Sequence, residues 1–337
     1  MALVDIYEIA QHEPPRWFKG DLYPRRVVRW ALQPFRDPGP RGLSMVTTNL
    51  VKGLTKLGMS CRVHRHAWRS RPGAHVGIVR GPIDVLRKIA ERVPCVIGPG
   101  SVRAPQEWPD MFTAYRTSSF VQACDWAANI FRPAYGERVK VWPVGIDTER
   151  LAPLRTDPKN FDFLVYDKRR WPGTPPGKGF LEPCLDELRK RGYSWQCIRY
   201  GKYPPGGVDT FHKMVRDSRA MLFICENETQ GIAYNEVLSL GVPILAWDRQ
   251  QWFDPDRLLF GLDFVPATSV PYWDERCGLK FRSIDDLPER LGQFMELLRL
   301  DRFSPRDYIL EHLTLEHCAK QYLDLLRAPP YTSHHRD

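Results

Sequence analysis

Two carboxylates eight residues apart, Glu228 and Glu236, lie in a segment that begins with the apolar run Ala220–Cys225 and ends in Gly241-Val242-Pro243. The hydrophobic pattern predicts a buried strand, a polar loop, a helix over Ile232–Leu240 stopped by Gly241, and a second strand over Val242–Trp247. Gly231 can let the backbone approach a ligand closely. The N–H groups of Gly231, Ile232 and Ala233 open the helix without intrahelical acceptors, at the positive end of its dipole, which suits a phosphate. About a turn or more further on, Glu236 can accept hydrogen bonds from a diol such as a ribose. One such site would hold a diphosphate, a ribose and a sugar. Two glutamates at this spacing would alone describe solvated acids around a βα turn; the flanking buried strand and the Gly-Val-Pro strand favour a site.

The chain around this segment is long enough for two domains and two sizeable cores: it has 337 residues, 43% of them hydrophobic and 26% charged. That composition excludes wholesale disorder, collagen-like repeats and a disulfide-stapled miniprotein. Two early acids and the lack of a basic start argue against a secretory signal, and no apolar run is long enough to span a bilayer. The eight cysteines form no CxxC pair and sit mostly in apolar stretches, which fits reduced core thiols in a cytoplasmic protein; their spacing gives no zinc site. The net charge of +9 is uneven. Residues 1–150 hold 23 Lys and Arg against 13 Asp and Glu, and the rest hold 26 against 27. The basic half is compatible with an anionic partner, whether a phosphorylated substrate or the headgroups at the cytoplasmic face of a membrane. It contains no arginine-rich helix, RNP-like run or zinc-finger spacing, so specific nucleic-acid binding is not expected.

Strands alternate with helices along the whole chain. Strands are expected at Val27–Leu32, Cys61–His64, His75–Val79, Val93–Ile97 and Val139–Trp142, with helices at Leu43–Leu57, Ile83–Glu91 and Phe120–Phe131. After a Pro- and charge-rich linker, 143–159, the pattern restarts with strands at Phe161–Tyr166, Tyr193–Arg199 and Ala220–Cys225. Helices follow at Phe180–Arg191, Val208–Arg216, Asp285–Leu297 and Arg306–Leu326. Such alternation implies parallel sheets covered on both faces, and ligands at the carboxyl ends of their strands.

The segment Glu228-Thr-Gln-Gly-Ile-Ala-Tyr-Asn-Glu236, followed by Leu238-Ser-Leu-Gly-Val-Pro-Ile, resembles the Glu-x7-Glu motif of retaining GT-B glycosyltransferases of the group 1 type. Val139–Thr148 looks like that family's passage into its second domain, and Ser304–Ala319 like its C-terminal helices. The resemblance implies an α/β GT-B fold of two Rossmann-like domains facing across a cleft. An acceptor-binding domain would span 1–150 and a nucleotide-sugar-binding domain 151–305. Residues 306–337 would supply a helix that crosses back to the first domain, and a polar tail. It also implies that Glu228 contacts the donor sugar, that Glu236 binds the ribose, and that the amides of Gly231, Ile232 and Ala233 hold the diphosphate. The family often places an Arg and a Lys after the first strand of its second domain. Arg169 and Lys178 are the nearest matches, with Lys168 or Arg170 able to replace Arg169. In the first domain, Gly42 would border the donor phosphates, with Arg41, Ser44 and Arg103 on the acceptor side. The family's usual first-domain histidine has no clear counterpart, because Pro99-Gly100-Ser101 stands where one is expected and His64, His66 and His75 fall in no persuasive motif.

The implied activity is metal-independent transfer of a sugar, with retention, from a nucleotide-sugar substrate to the hydroxyl of a glycan, lipid-linked or small-molecule acceptor, with no cofactor. The alternatives are a sugar-nucleotide epimerase-like enzyme, or a non-catalytic GT-B-like scaffold that binds an anionic partner.

Overall fold

The computed structural model describes residues 2–10, 43–154, 159–171, 178–202 and 205–328. Its strands form two wholly parallel sheets. The first contains β1 (Leu3–Glu8), β2 (Ser60–His64), β3 (His75–Arg80), β4 (Cys95–Ile97), β5 (Thr117–Gln122) and β6 (Val139–Val141), in the order β2-β1-β3-β4-β5-β6. The second contains β7 (Phe161–Asp167), β8 (Trp195–Arg199), β9 (Ser218–Ile224), β10 (Ile244–Trp247) and β11 (Gly278–Phe281), in the order β11-β10-β9-β7-β8. Helices α1 (Leu43–Lys56), α2 (Ile83–Arg92) and α3 (Asp125–Tyr135) accompany the first sheet. The second has α4 (Leu181–Lys190), α5 (Gly207–Arg216), α6 (Ile232–Ser239) and α7 (Leu287–Arg299), followed by α8 (Pro305–His312) and α9 (Leu315–Arg327).

Both faces of each sheet are buried, as parallel sheets require. Along β9, Ala220, Leu222 and Ile224 pack with α4 and α7 residues such as Leu188 and Phe294. The alternate Met221 and Phe223, with Cys225 just beyond, join Tyr234 and Val237 of α6 on the other face. This two-sided burial is why the strand reads as an unbroken apolar run rather than as an alternation.

The first sheet takes part of its cover from the far end of the chain. Tyr322 and Leu323 of α9 lie in one apolar cluster with Val4 and Ile6 of β1 and Leu50 and Leu54 of α1. Close approach of α1 and α9 depends on Gly53, where a Cβ would come within 2.4 Å of the Leu315 carbonyl oxygen. The same crossing fixes the passage between the two sheets: Trp142 Nε1 donates to the Cys318 carbonyl at 2.7 Å, and the Ile146 amide donates to the Leu313 carbonyl at 2.7 Å. Arg306 of α8 donates to the carbonyls of Thr148, Leu151 and Ser239, binding the passage to the end of α6.

The structure adds two strands that the sequence pattern does not predict, β1 and β11, and redraws two elements that it does. The opening strand of the first sheet is Leu3–Glu8, while Val27–Leu32 lies outside the described residues. Asp5 and Glu8 make β1 look polar, yet both are buried and paired. Asp5 accepts the Arg71 amide and Nε, each at 2.7 Å, and faces His64 Nε2 at 3.1 Å. Residues 120–122 complete strand β5, and α3 starts only at Asp125. The C-terminal helical stretch is broken at Leu313 and restarts with Thr314, whose hydroxyl accepts the His317 amide. β11 was not foreseen because its four residues, Gly278–Phe281, give too short a pattern.

Burial alone would push the Asp5 carboxyl upward, but the hydrogen bonds and charge of Arg71, with His64, outweigh it and hold it below its ordinary value. Asp5 therefore contributes stability above the unfolded carboxylate pKa of about 3.9, and that contribution is lost as pH falls. Arg71→Met, which strands the carboxylate, should cost about 3–5 kcal/mol at neutral pH. In urea titrations the gap between parent and variant should shrink as pH falls, because the stranded carboxylate of the variant takes up its proton at higher pH than the paired carboxylate of the parent; a gap independent of pH would contradict this.

Candidate functional site

β9 delivers the chain to the loop between the two sheets, where three acids follow its apolar end. Glu226, Glu228 and Glu236 are all buried. Cross-sheet hydrogen bonds fix the loop. The Glu228 carbonyl accepts Trp126 Nε1 of α3 at 2.7 Å, and its amide donates to the Thr268 carbonyl at 3.0 Å. Gln230 Oε1 accepts the Val144 amide at 3.1 Å. The backbone of this loop is thus held from the first unit as well as the second.

The Glu228 carboxylate meets Lys168 Nζ at 2.5 Å and pairs with the Arg170 guanidinium. Burial would push this carboxyl up, but the two cations prevail and keep it below its ordinary range, so it is ionised at neutral pH. Glu226 positions the basic residues from beneath: its carboxylate accepts the Arg170 amide at 3.0 Å and the Trp171 amide at 3.1 Å. Arg169, between the two cations, turns the other way. It pairs with Asp167 at 2.8 Å and lies over the Phe180 ring. Of the basic run after β7, the structure therefore brings Lys168 and Arg170 to Glu228. Lys178 opens a single helical turn, Lys178–Phe180, before α4.

Gly231 stands at the start of α6 with φ 60° and ψ 25°, and no side chain caps that helix. Tyr234 closes over it, so that a Cβ on Gly231 would fall 2.0 Å from the ring. Ile232 and Ala233 are part-exposed at this start. One turn on, Glu236 Oε2 lies 3.0 Å from Nε2 of buried His212 on α5. The Nδ1 of that ring faces Arg150 at 3.4 Å, and Arg150 also reaches Asp209 at 3.6 Å. A neutral ring protonated on Nε2 satisfies both contacts, donating to Glu236 and accepting from Arg150. Glu236 borders a cavity of about 150 Å³ that Thr48, Asn49 and Lys52 of α1 wall from the other side.

The remaining candidates divide. Arg41 and Gly42 lie outside the described residues. Ser44, near the start of α1, donates to buried Glu8 at 3.0 Å, and Arg80 reaches the same carboxylate at 3.2 Å. Arg103 is exposed and bridges the units, pairing with Glu107 at 2.6 Å and with Asp256 at 3.1 Å. His64 is taken up by Asp5, and His75 begins β3. Sequence reasoning gave no role to Glu226, Trp126 or His212. Glu226 was visible as an acid directly after a buried strand, but Trp126 and His212 had no local signal, since their partners lie 102 and 24 residues away. Among the described residues no group of three or more His, Cys, Asp or Glu could hold a metal ion.

No protein-family model matches the chain, and no curated protein matches it in sequence. Solved structures do match its fold over nearly its whole length. Sucrose-phosphate synthase from Thermosynechococcus elongatus aligns with a TM-score of 0.57 at 10% identity, over 97% of this chain and 98% of that one. An α-glucosyltransferase solved with UDP and a 13-mer DNA aligns with a TM-score of 0.56 at 9% identity, over 97% and 99%. AviGT4, a glycosyltransferase involved in avilamycin A biosynthesis, aligns with a TM-score of 0.52 at 14% identity, over 97% of each chain. The chain has the two-unit α/β GT-B fold of glycosyltransferases, as the sequence resemblance implied.

Gly231 supplies a direct test of the loop geometry. An L residue there meets both the left-handed backbone and the Tyr234 ring, so Gly231→Ala should cost about 1–3 kcal/mol in chemical unfolding. Gly231→Asn eases the backbone penalty but keeps the clash with Tyr234, so it should recover only part of the loss. Full recovery by Asn would show that Tyr234 does not press on this position.

Proposed function

We propose that the chain is a glycosyltransferase that moves a sugar from a nucleotide-sugar donor to an acceptor hydroxyl, with retention at the anomeric carbon and without a metal. The observation that carries this reading is the pair of buried glutamates, Glu228 and Glu236, on either side of the uncapped start of α6, with Lys168 and Arg170 against the first of them. The second unit holds the donor and the first meets the acceptor. The neighbour solved with UDP and DNA, and its counterpart solved with UDP-glucose, support a nucleotide-sugar donor.

In this reading the N–H groups of Gly231, Ile232 and Ala233 hold the diphosphate. Lys168 and Arg170 turn part of their charge from Glu228 to the phosphates and stabilise the leaving group as negative charge develops there. These groups supply the countercharge that a divalent metal would otherwise provide. Arg169 supports the loop through Asp167, and Lys178 and Gly42 remain proposed members of the donor site. Glu236, held by His212, accepts the ribose hydroxyls. Glu228 is ionised, so it accepts hydrogen bonds from the donor sugar and does not protonate the leaving group. The acceptor oxygen bonds to the anomeric carbon on the face that the diphosphate leaves. The bond from that carbon to the phosphate oxygen breaks, and the departing oxygen takes the acceptor's proton. Among the described residues no helix is long and apolar enough to cross a membrane. In the same reading, the basic first half supports peripheral contact with an anionic surface.

Glu228→Gln keeps the shape of the site and removes its charge. Turnover should fall about 100-fold or more, while nucleoside diphosphate affinity holds or rises, because Lys168 and Arg170 are freed from the carboxylate. Equal turnover in both proteins would remove Glu228 from this role. NMR of the first-formed product should show the donor's anomeric configuration; an inverted product would refute retention.

A further inference from the structure

The donor site is crowded with charge, but a cavity beside it is not. It measures about 930 Å³ and lies between α3 of the first unit and the 249–274 segment that follows β10. Of the fifteen described residues that line it, only Asp125 carries a formal charge, in a chain of net charge +9. Its walls are built of aromatic and aliphatic groups, among them Trp126, Ile130, Leu262, Phe264 and Tyr272. Among the described residues that line it a phosphate would find no cation, and a free sugar would leave most of that surface uncovered.

Two features tie this cavity to the reacting end of the donor site. Trp126 and Thr268 both line it, and both hydrogen-bond to the main chain of Glu228. A ligand in the cavity therefore lies one residue's thickness from the main chain of Glu228, the residue assigned to the donor sugar. The Tyr272 amide, on the same wall, donates to Tyr234 Oη at 2.9 Å, which joins the cavity to the residue that closes over Gly231. The apolar character also continues outward. Leu258, Leu259 and Phe264, on the same 249–274 segment, are 55%, 75% and 64% exposed, grouped where a soluble surface would ordinarily be polar.

We infer that this cavity holds the body of the acceptor, and that the acceptor is an alcohol or phenol carried on an uncharged apolar body. The inference rests on the glycosyltransferase reading and adds the acceptor's class to it. The apolar body packs between α3 and the 249–274 segment, with its hydroxyl directed toward Glu228. The basic groups of the site are left to the donor diphosphate. An alkyl chain and an aromatic ring system share this chemistry, and the choice between them is experimental.

Isothermal titration of the full-length protein with 1-octanol, 2-naphthol and glucose tests the inference. At least one apolar probe should bind about tenfold or more tightly than glucose. Tighter binding of octanol would identify the body as alkyl, and tighter binding of naphthol as aromatic. Phe264→Glu places a carboxylate at an exposed wall position that the fold does not need, and should weaken the apolar probe about tenfold. Ile130→Glu, on the opposite wall, should do the same. Both variants should retain the parent's affinity for nucleoside diphosphates. The inference is overturned if neither apolar probe binds better than glucose, or if both variants bind the probes as the parent does. Failure of the transferase reading has a different signature: the parent would bind apolar probes in this cavity but no nucleoside diphosphate.

Discussion

A buried carboxylate cannot keep its charge without compensation, and Glu228 keeps it because Lys168 and Arg170 come to it from another loop. The second unit's side of the site follows from that requirement. Glu226 holds the basic loop by its amides, so that both cations point at one acid while Arg169 turns away to Asp167. The first unit fixes the same acid through Trp126. Removing a partner from such a cluster would leave a buried charge exposed to an apolar interior, so the geometry is held more firmly than hydrogen-bond counts suggest. In the proposed reading, a diphosphate at the start of α6 competes with Glu228 for these cations.

The relation between the two units depends on contacts made far from this site. Gly53 lets α9 lie against α1, and a Cβ at Gly145 would come within 2.6 Å of the Thr314 carbonyl oxygen. Both are close backbone approaches that a larger residue would prevent. Through them the chain's last helix packs on its first strand, and the passage at 142–146 is held by the segment around 313–318. The cleft thus has one wall on each sheet and a shared clasp at the back. That arrangement lets a group on α3 touch the main chain of a loop 102 residues later.

Much of the fold was legible because parallel strands buried on both faces leave continuous apolar runs such as Ala220–Cys225, and helices such as α1 leave a spaced apolar stripe. Segments that obey neither rule were misread. β1 carries Asp5 and Glu8 inside a core, where the distant Arg71, Arg65 and Arg80, with His64 and Ser44, make them tolerable. The end of β5 runs within two residues of α3, so the apolar residues of both merge into one apparent helix. The glutamate pair and Gly231 stood out because their chemistry is local: a turn, a helix start and two acids at fixed spacing. The groups that orient them did not, because His212, Trp126 and the choice of Lys168 and Arg170 over Arg169 are settled by tertiary packing. The cavity beside α3 was equally silent, since its two walls come from segments more than a hundred residues apart.

The central claim is that the α6 start, its basic neighbours and Glu236 form a nucleotide site without a metal. Apparent melting temperature tests it most directly, measured with a panel of nucleoside diphosphates in buffer containing a chelator. A ligand specific to the folded state, at about 100 times its Kd, stabilises by about 2.7 kcal/mol. The account predicts a clear rise with at least one nucleoside diphosphate in the parent and its loss in Glu236→Ala. A folded parent that responds to none of them, or a variant that responds as fully as the parent, would contradict it.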